Sequence, residues 1–267
     1  MLKTRALVAM VALPILIAVT IIGGWLFALL VAGALLLAGD EYVRLIRQEN
    51  YGLPEWLVLG LIALPLAATW FKHPGWRDSG LTGLLIVGVF HAIWQWEHNR
   101  TSPLTELALA VFGGVYVGWL GSYLLAIRQL KDGAYLTLVV YGSVAFSDSA
   151  AYFVGRLWGR HKLSPRTSPN KTWEGYIGSV IGGPVFGAVV GGLPGTDALT
   201  WWQGALLGLL IGVLGTVGDL GISLIKRQVG AKDSSHLIPG HGGILDRIDS
   251  VLVTAAVGYY YLVWFVV

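Results

Sequence analysis

Apolar residues fall along this chain in long unbroken blocks. They show neither the strict alternation of a half-buried strand nor the narrow stripe of a helix with one solvated face. From Ala6 to Gly39 no charged residue occurs in 34 consecutive positions. As a single helix that block would be about 51 Å long, against about 30 Å for the hydrocarbon core of a bilayer. Two helices turning at Gly23-Gly24 fit it better. Further apolar blocks run over residues 55–71, 79–96, 104–127, 134–155, 175–193, 202–225 and 249–267. The pattern predicts an all-α, polytopic integral membrane protein with about nine transmembrane helices. Polar residues concentrate late in the chain. Residues 1–133 therefore read as an amino-terminal scaffold and residues 134–267 as a catalytic region carrying two polar loops, without separately folding domains.

Composition supports lipid as the solvent. The chain of 267 residues is 55% hydrophobic and 12% charged, against about 25% charged in soluble domains. It contains no cysteine, which excludes disulfides, thiolate metal sites and cysteine nucleophiles. Lys3 and Arg5 precede the first apolar run as in a signal peptide, but the run is too long and lacks a small-residue cleavage site. A retained anchor is expected. With nine spans, fourteen of the eighteen lysines and arginines lie on one side, and only Lys72, Arg77, Arg128 and Lys131 on the other. Positive residues collect in the cytoplasm. The amino terminus and both polar loops are thus expected there, in the cytoplasmic membrane, with the carboxyl terminus outside. Tryptophans such as Trp25, Trp70, Trp76 and Trp201 fall near span ends, where amphipathic rings prefer to sit. Glycine ladders at Gly178, Gly182, Gly187, Gly191 and at Gly204, Gly208, Gly212, Gly215 predict close helix packing in lipid.

The first polar stretch begins inside an apolar helix with Ser147-Asp148-Ser149. A carboxylate at that depth is costly and marks a functional candidate. Five basic residues follow, from Arg156 to Lys171, with no acid before Glu174. The segment Ser168-Pro169-Asn170-Lys171-Thr172 leads into a helix start near Thr172, where backbone amides and Lys171 would cradle phosphate. A loop that only touches anionic headgroups would explain the charge but not this turn. The spacing is not that of a Walker loop.

The second stretch places Asp219, Ser223, Lys226 and Arg227 on one helical face. A loop with Lys232, Asp233 and His241-Gly242-Gly243 follows, then Asp246-Arg247-Ile248-Asp249. Asp219, Asp246 and Asp249, among hydroxyls and without thiolates, favour a hard cation such as Mg²⁺. Lys226, Arg227, Lys232 and Arg247 supply the countercharge a triphosphate needs.

The run Ser223-x-x-Lys226-Arg227, Lys232-Asp233, His241-Gly242-Gly243, Asp246-Arg247-x-Asp249 resembles the signature of the phosphatidate cytidylyltransferase (CDP-diacylglycerol synthase) family, with no departure at its fixed positions. Ser147-Asp148, Ala151-Tyr152 and Ser168 through Gly175 are similar to further family elements. The resemblance is strong over about residues 140–255 and topological before them. It implies an all-helical membrane enzyme that transfers CMP from CTP to phosphatidic acid. It also implies Mg²⁺, room for a second, monovalent ion such as K⁺, and a homodimer. Asp219, Asp246 and Asp249 would bind metal, with Asp219 and Asp246 the firmest. Lys171, Lys226, Arg227 and Lys232 would clamp phosphates, while Ser223 and His241 would line the site. Ser168, Asn170, Thr172, Arg247 and Asp148 complete the substrate-binding set. Asp219, Asp246, Lys226 and Lys171 carry the catalysis. A CTP-dependent lipid-alcohol kinase is the nearest rival. A transporter fits less well, because the polar residues gather on one membrane face instead of the midplane.

Overall fold

The computed structural model describes residues 2–193, 198–235, 237 and 242–267, with side chains from residue 10 onward. The chain runs α1 (Leu2–Ile22), α2 (Gly24–Arg47), α3 (Glu55–Trp70), α4 (Pro74–Glu97), α5 (Pro103–Gly114), a π-helical turn (Val115–Trp119), α6 (Leu120–Arg128) and α7 (Gly133–Trp158). It continues through β1 (Lys162–Ser164), β2 (Ser168–Thr172), α8 (Trp173–Gly191), α9 (Trp201–Gln228) and α10 (Leu245–Phe265). Every apolar block of the sequence lies on helix, and α5, the π turn and α6 together cover residues 104–127. Among the described residues six helical segments are long and apolar enough to cross a membrane, with α5 to α6 counted as one. The described apolar part of α1, Met10–Ile22, and α3 are shorter, and the glycine-rich α8 is not among the six. Length and apolarity therefore give an all-α membrane protein with six such segments, not nine.

The break expected at Gly23-Gly24 is present. Both glycines have positive φ, 68° and 57°, which only glycine adopts freely. The last carbonyls of α1 would otherwise be orphaned. Arg128, at the end of α6, satisfies them, donating Nε to the Thr20 oxygen at 2.7 Å and Nη2 to the Ile21 oxygen at 3.1 Å.

Two crossings position the site. Glycines on α8 and α9 face one another at Gly183–Gly208 and Gly187–Gly204, where a methyl on either would strike the opposing backbone. The ladder on α8 serves two neighbours. Gly178 and Gly182 face Val154 and Ala150 of α7, whereas Gly187 and Gly191 face α9. The spacing is four, five and four residues, and at 3.6 residues per turn the five-residue step from Gly182 to Gly187 carries the run around to another face, so one run of glycines admits helices on two sides. At the second crossing Gly218 lies against the Asp249 backbone, bringing α9 and α10 together beside Asp219.

The main apolar core joins Phe27, Leu35, Tyr42, Leu57, Leu61 and Leu125 to Ile222, Leu245, Leu252 and Ala255. Scaffold and carboxy-terminal helices thus share one interior. Outward, large apolar side chains face the surroundings, Phe90 at 69% exposure among them, as lipid permits. One element departs from the all-helical expectation. The first polar stretch folds into an antiparallel hairpin, pairing Lys162 with Thr172 and Ser164 with Ser168. Its strands are short, polar and interrupted by proline, so they carry no period-2 signal.

Candidate active site

α8 begins where β2 ends. The Thr172 hydroxyl accepts from the Gly175 amide at 3.2 Å, the N-cap bond that starts the helix. Glu174, in the first turn and ahead of the apolar run, ties the loop back. It accepts from the Arg160 amide at 3.1 Å, from the His161 amide and from the His161 ring at 2.6 Å. These bonds, first its own backbone amide, then the His161 ring and the Arg160 amide, hold the Glu174 carboxyl down at about 2 from an ordinary 4.5. The hairpin is therefore pinned to the helix it precedes, and Lys171 is the penultimate residue of β2.

Lys171 Nζ meets Asp219 Oδ2 at 2.6 Å, joining the hairpin to α9. One helical turn on, Ser223 donates to Asp219 Oδ1 at 3.2 Å. Lys226 then reaches across to α10, its Nζ 2.5 Å from Asp246 Oδ1, with the two side chains 12% and 7% exposed. Asp246 Oδ2 accepts from the Ser234 amide at 2.8 Å and the Gly243 amide at 3.1 Å, and lies 3.0 Å from the Ser234 hydroxyl, whose single proton it shares with Glu41 Oε2 at 2.9 Å. Asp249, one turn further, lies beside Gly218 and accepts from the Ser250 amide at 2.7 Å.

These groups surround one cavity of about 640 Å³. Of the candidates from sequence, Asp148, Asn170, Lys171, Thr172, Asp219, Lys226, Asp246, Arg247 and Asp249 line it. Asp233 and Arg156, which the sequence singled out without a role in the site, and Tyr176 join them. Ser168, Ser223, Arg227 and Lys232 do not line it. Ser168 sits in the hairpin pairing, and Ser223 acts on Asp219 from behind. Arg227 donates to the backbone oxygens of Thr167 and Ala231 at 3.3 and 3.4 Å, bracing the two polar loops against each other. Lys232 is exposed next to Asp233, and His241 lies outside the described residues.

Sequence reasoning missed Glu41. It is 3% exposed near the end of α2 and has no cationic partner among the described residues. Instead it takes four hydrogen bonds, from the Ser234 and Ser235 hydroxyls at 2.9 and 2.6 Å and from the Ile244 and Leu245 amides at 3.0 and 2.9 Å. It therefore caps the start of α10 from another helix and, through Ser234, braces Asp246. Its neighbour Asp40 pairs with Arg44 at 2.9 Å, an i, i+4 pattern that gives no sign in the sequence of a buried acid beside it.

With every group ionised, the lining carries five carboxylates against four cations. Such a cavity alone would not hold a polyanion, but a divalent cation would reverse its sign. Among the described residues no three histidine, aspartate or glutamate side chains stand close enough to hold a metal by themselves. Mg²⁺ commonly takes one or two carboxylates and completes its shell with water and substrate phosphates. The all-oxygen donor set fits that mode.

Comparison with known proteins gives the same direction. The model of the cytidylyltransferase family matches residues 3–265. A phosphatidate cytidylyltransferase of Synechocystis is 33% identical, over 97% of this chain and 96% of that protein. One of Mycobacterium leprae is 32% identical over 92% and 82%. An uncharacterized protein of Escherichia coli, YnbB, is 35% identical over 85% and 75%. A match spanning every described helix, together with a cavity built from acids and bases of four elements, places the chain: it belongs to the cytidylyltransferase family.

Proposed function

We propose that this protein transfers the cytidylyl group of CTP to phosphatidic acid, giving CDP-diacylglycerol and pyrophosphate. The observation that carries the reading is the single cavity in which Lys171, Lys226, Arg156 and Arg247 face Asp148, Asp219, Asp246 and Asp249, in a chain similar over nearly its whole length to phosphatidate cytidylyltransferases.

The lipid phosphate oxygen forms a bond to the α-phosphorus of CTP, and the bond from that phosphorus to the bridging oxygen breaks. Pyrophosphate leaves with the electron pair. A lipid phosphate is already ionised at neutral pH, so no general base is required. Both partners are anionic, so catalysis rests on positioning and on neutralising charge. Lys171 at the hairpin and Lys226 on α9 both line the cavity and would take phosphate oxygens, with Asn170 also in the lining and the amides opening α8 adjoining Lys171 in sequence. Arg247 and Arg156 add two further cations. Mg²⁺, held by carboxylates drawn from Asp219, Asp246 and Asp249, would supply charge neutralisation on the triphosphate. Asp246 is otherwise held by Lys226 and three loop donors, and Glu41 fixes that loop.

All nine rods span the membrane in this reading, and the amino terminus and active site face the cytoplasm. The structure supports it through which helix ends meet. The end of α2 touches the start of α10 through Glu41. Tyr135 near the start of α7 donates to Val190 near the end of α8, and Gln203 at the start of α9 donates to Phe265 at the end of α10. The rods that meet at these contacts run in opposite directions, and the two carboxy-terminal polar loops meet through Arg227 and Thr167. The test is direct. Purified protein given phosphatidic acid and CTP should form CDP-diacylglycerol only when Mg²⁺ is supplied. Formation at full rate in excess chelator would remove the metal from the proposal.

A further inference from the structure

A second cavity, of about 530 Å³, lies at the other end of the bundle, between the end of α3, the start of α4, the end of α6 and the second half of α10. It includes Leu130, just before α7 begins, whereas the active-site cavity takes Arg156 near the end of that helix. α7 has 26 residues, about 39 Å of rise. The two cavities therefore open at opposite ends of the molecule.

The charge of this second cavity is one-sided. Lys72 and Arg77 line it and no carboxylate does. Among the described residues neither has a carboxylate partner. Arg77 Nη2 donates to the Thr69 hydroxyl at 3.0 Å, and the guanidinium lies 4.7 Å from the Trp119 ring centre. Its Nε is buried with no acceptor. A buried guanidinium nitrogen without an acceptor leaves the Arg77 charge poorly compensated, and an anion in the cavity offsets that charge without having to reach Nε itself. A third donor stands nearby. Tyr123 accepts from Trp119 Nε1 at 3.2 Å and shares a 2.5 Å hydrogen bond with Tyr260. When Tyr123 donates in that pair, the Tyr260 proton is left for a ligand. The remaining walls are apolar, from Ala68, Ala126 and Leu130. Exposed Trp264 packs on Tyr260 at 5.1 Å, the kind of aromatic that marks a membrane–water boundary.

We propose that this cavity binds the phosphate of an anionic phospholipid at the end of the bundle opposite the active site, with Arg77, Lys72 and Tyr260 as donors. In the nine-span reading of the sequence fourteen of the eighteen basic residues are expected at the other end, and of the four expected here Arg128 is used to cap α1. Two of the remaining three line this one cavity. The inference is independent of the reading of the active site.

Native mass spectrometry of the purified full chain tests it, with phosphatidylglycerol, phosphatidylcholine and inorganic phosphate as probes. Phosphatidylglycerol should be retained in preference to phosphatidylcholine. Arg77→Gln and Lys72→Gln should each weaken that retention about tenfold or more, the usual worth of one charged hydrogen bond. Asp249→Asn should bind it as wild type does. Undiminished retention in Lys72→Gln, whose exposed side chain makes misfolding no concern, would overturn the proposal. So would loss in Asp249→Asn, or phosphate alone binding as well as the lipid.

Discussion

Asp246 concentrates more bonds than any other acid of the site, and they come from two directions: Lys226 on one oxygen, and the Ser234 and Gly243 donors on the other. An amide in its place can keep only one oxygen, so its NH₂ group must face either the ammonium or the loop amides. Asp246→Asn is expected to lower turnover by at least about 100-fold, the scale of losing one electrostatic contributor, while the protein still elutes as a folded species in detergent. Wild-type turnover in this variant would remove Asp246 from the mechanism. Glu41 is the corresponding case away from the substrate. In Glu41→Gln a side-chain NH₂ must meet the Ile244 or Leu245 amide, neither of which can turn to accept. The cost should be about 1–3 kcal/mol of stability, and activity should fall with it because Ser234 is shared with Asp246. An unchanged melting temperature would show that the four hydrogen bonds carry no weight.

The elements were legible in proportion to their apolar content. Blocks of uninterrupted apolar residues gave every rod of the bundle, and the charge-free length of 34 residues gave the turn at Gly23-Gly24. The hairpin was not legible, because Ser168-Pro169-Asn170 is polar on both faces and its pairing depends on docking to α8. The glycine ladders foretold close packing but not partners, which helical drift determines. Gly187→Val tests that packing. A side chain there strikes the Gly204 carbonyl, so α8 and α9 must separate, with a cost of about 1–3 kcal/mol from overpacking and a matching fall in activity as Lys171 and Asp219 part. Wild-type stability and activity would mean that the seam is loose.

At the scale of the molecule, the candidate site was readable because its residues cluster in two stretches of sequence, and the fold folds both onto one cavity. What sequence order hid was the contribution of α2, nearly two hundred residues before the loop it braces. Residues such as Arg227 looked like phosphate ligands because charge alone does not reveal direction, and this one points into the loop backbone. Orientation in the membrane has its own check, made simple by the absence of cysteine. In intact cells an impermeant maleimide should label Lys131→Cys and should reach Lys232→Cys only after permeabilisation. The reverse would invert the topology. The identity of the transferred group is decided by position-labelled CTP supplied to the purified protein with phosphatidic acid and Mg²⁺. Label from the α-phosphate should appear in the lipid and label from the γ-phosphate in pyrophosphate; γ-label in the lipid would mean phosphate transfer and would contradict cytidylyl transfer outright.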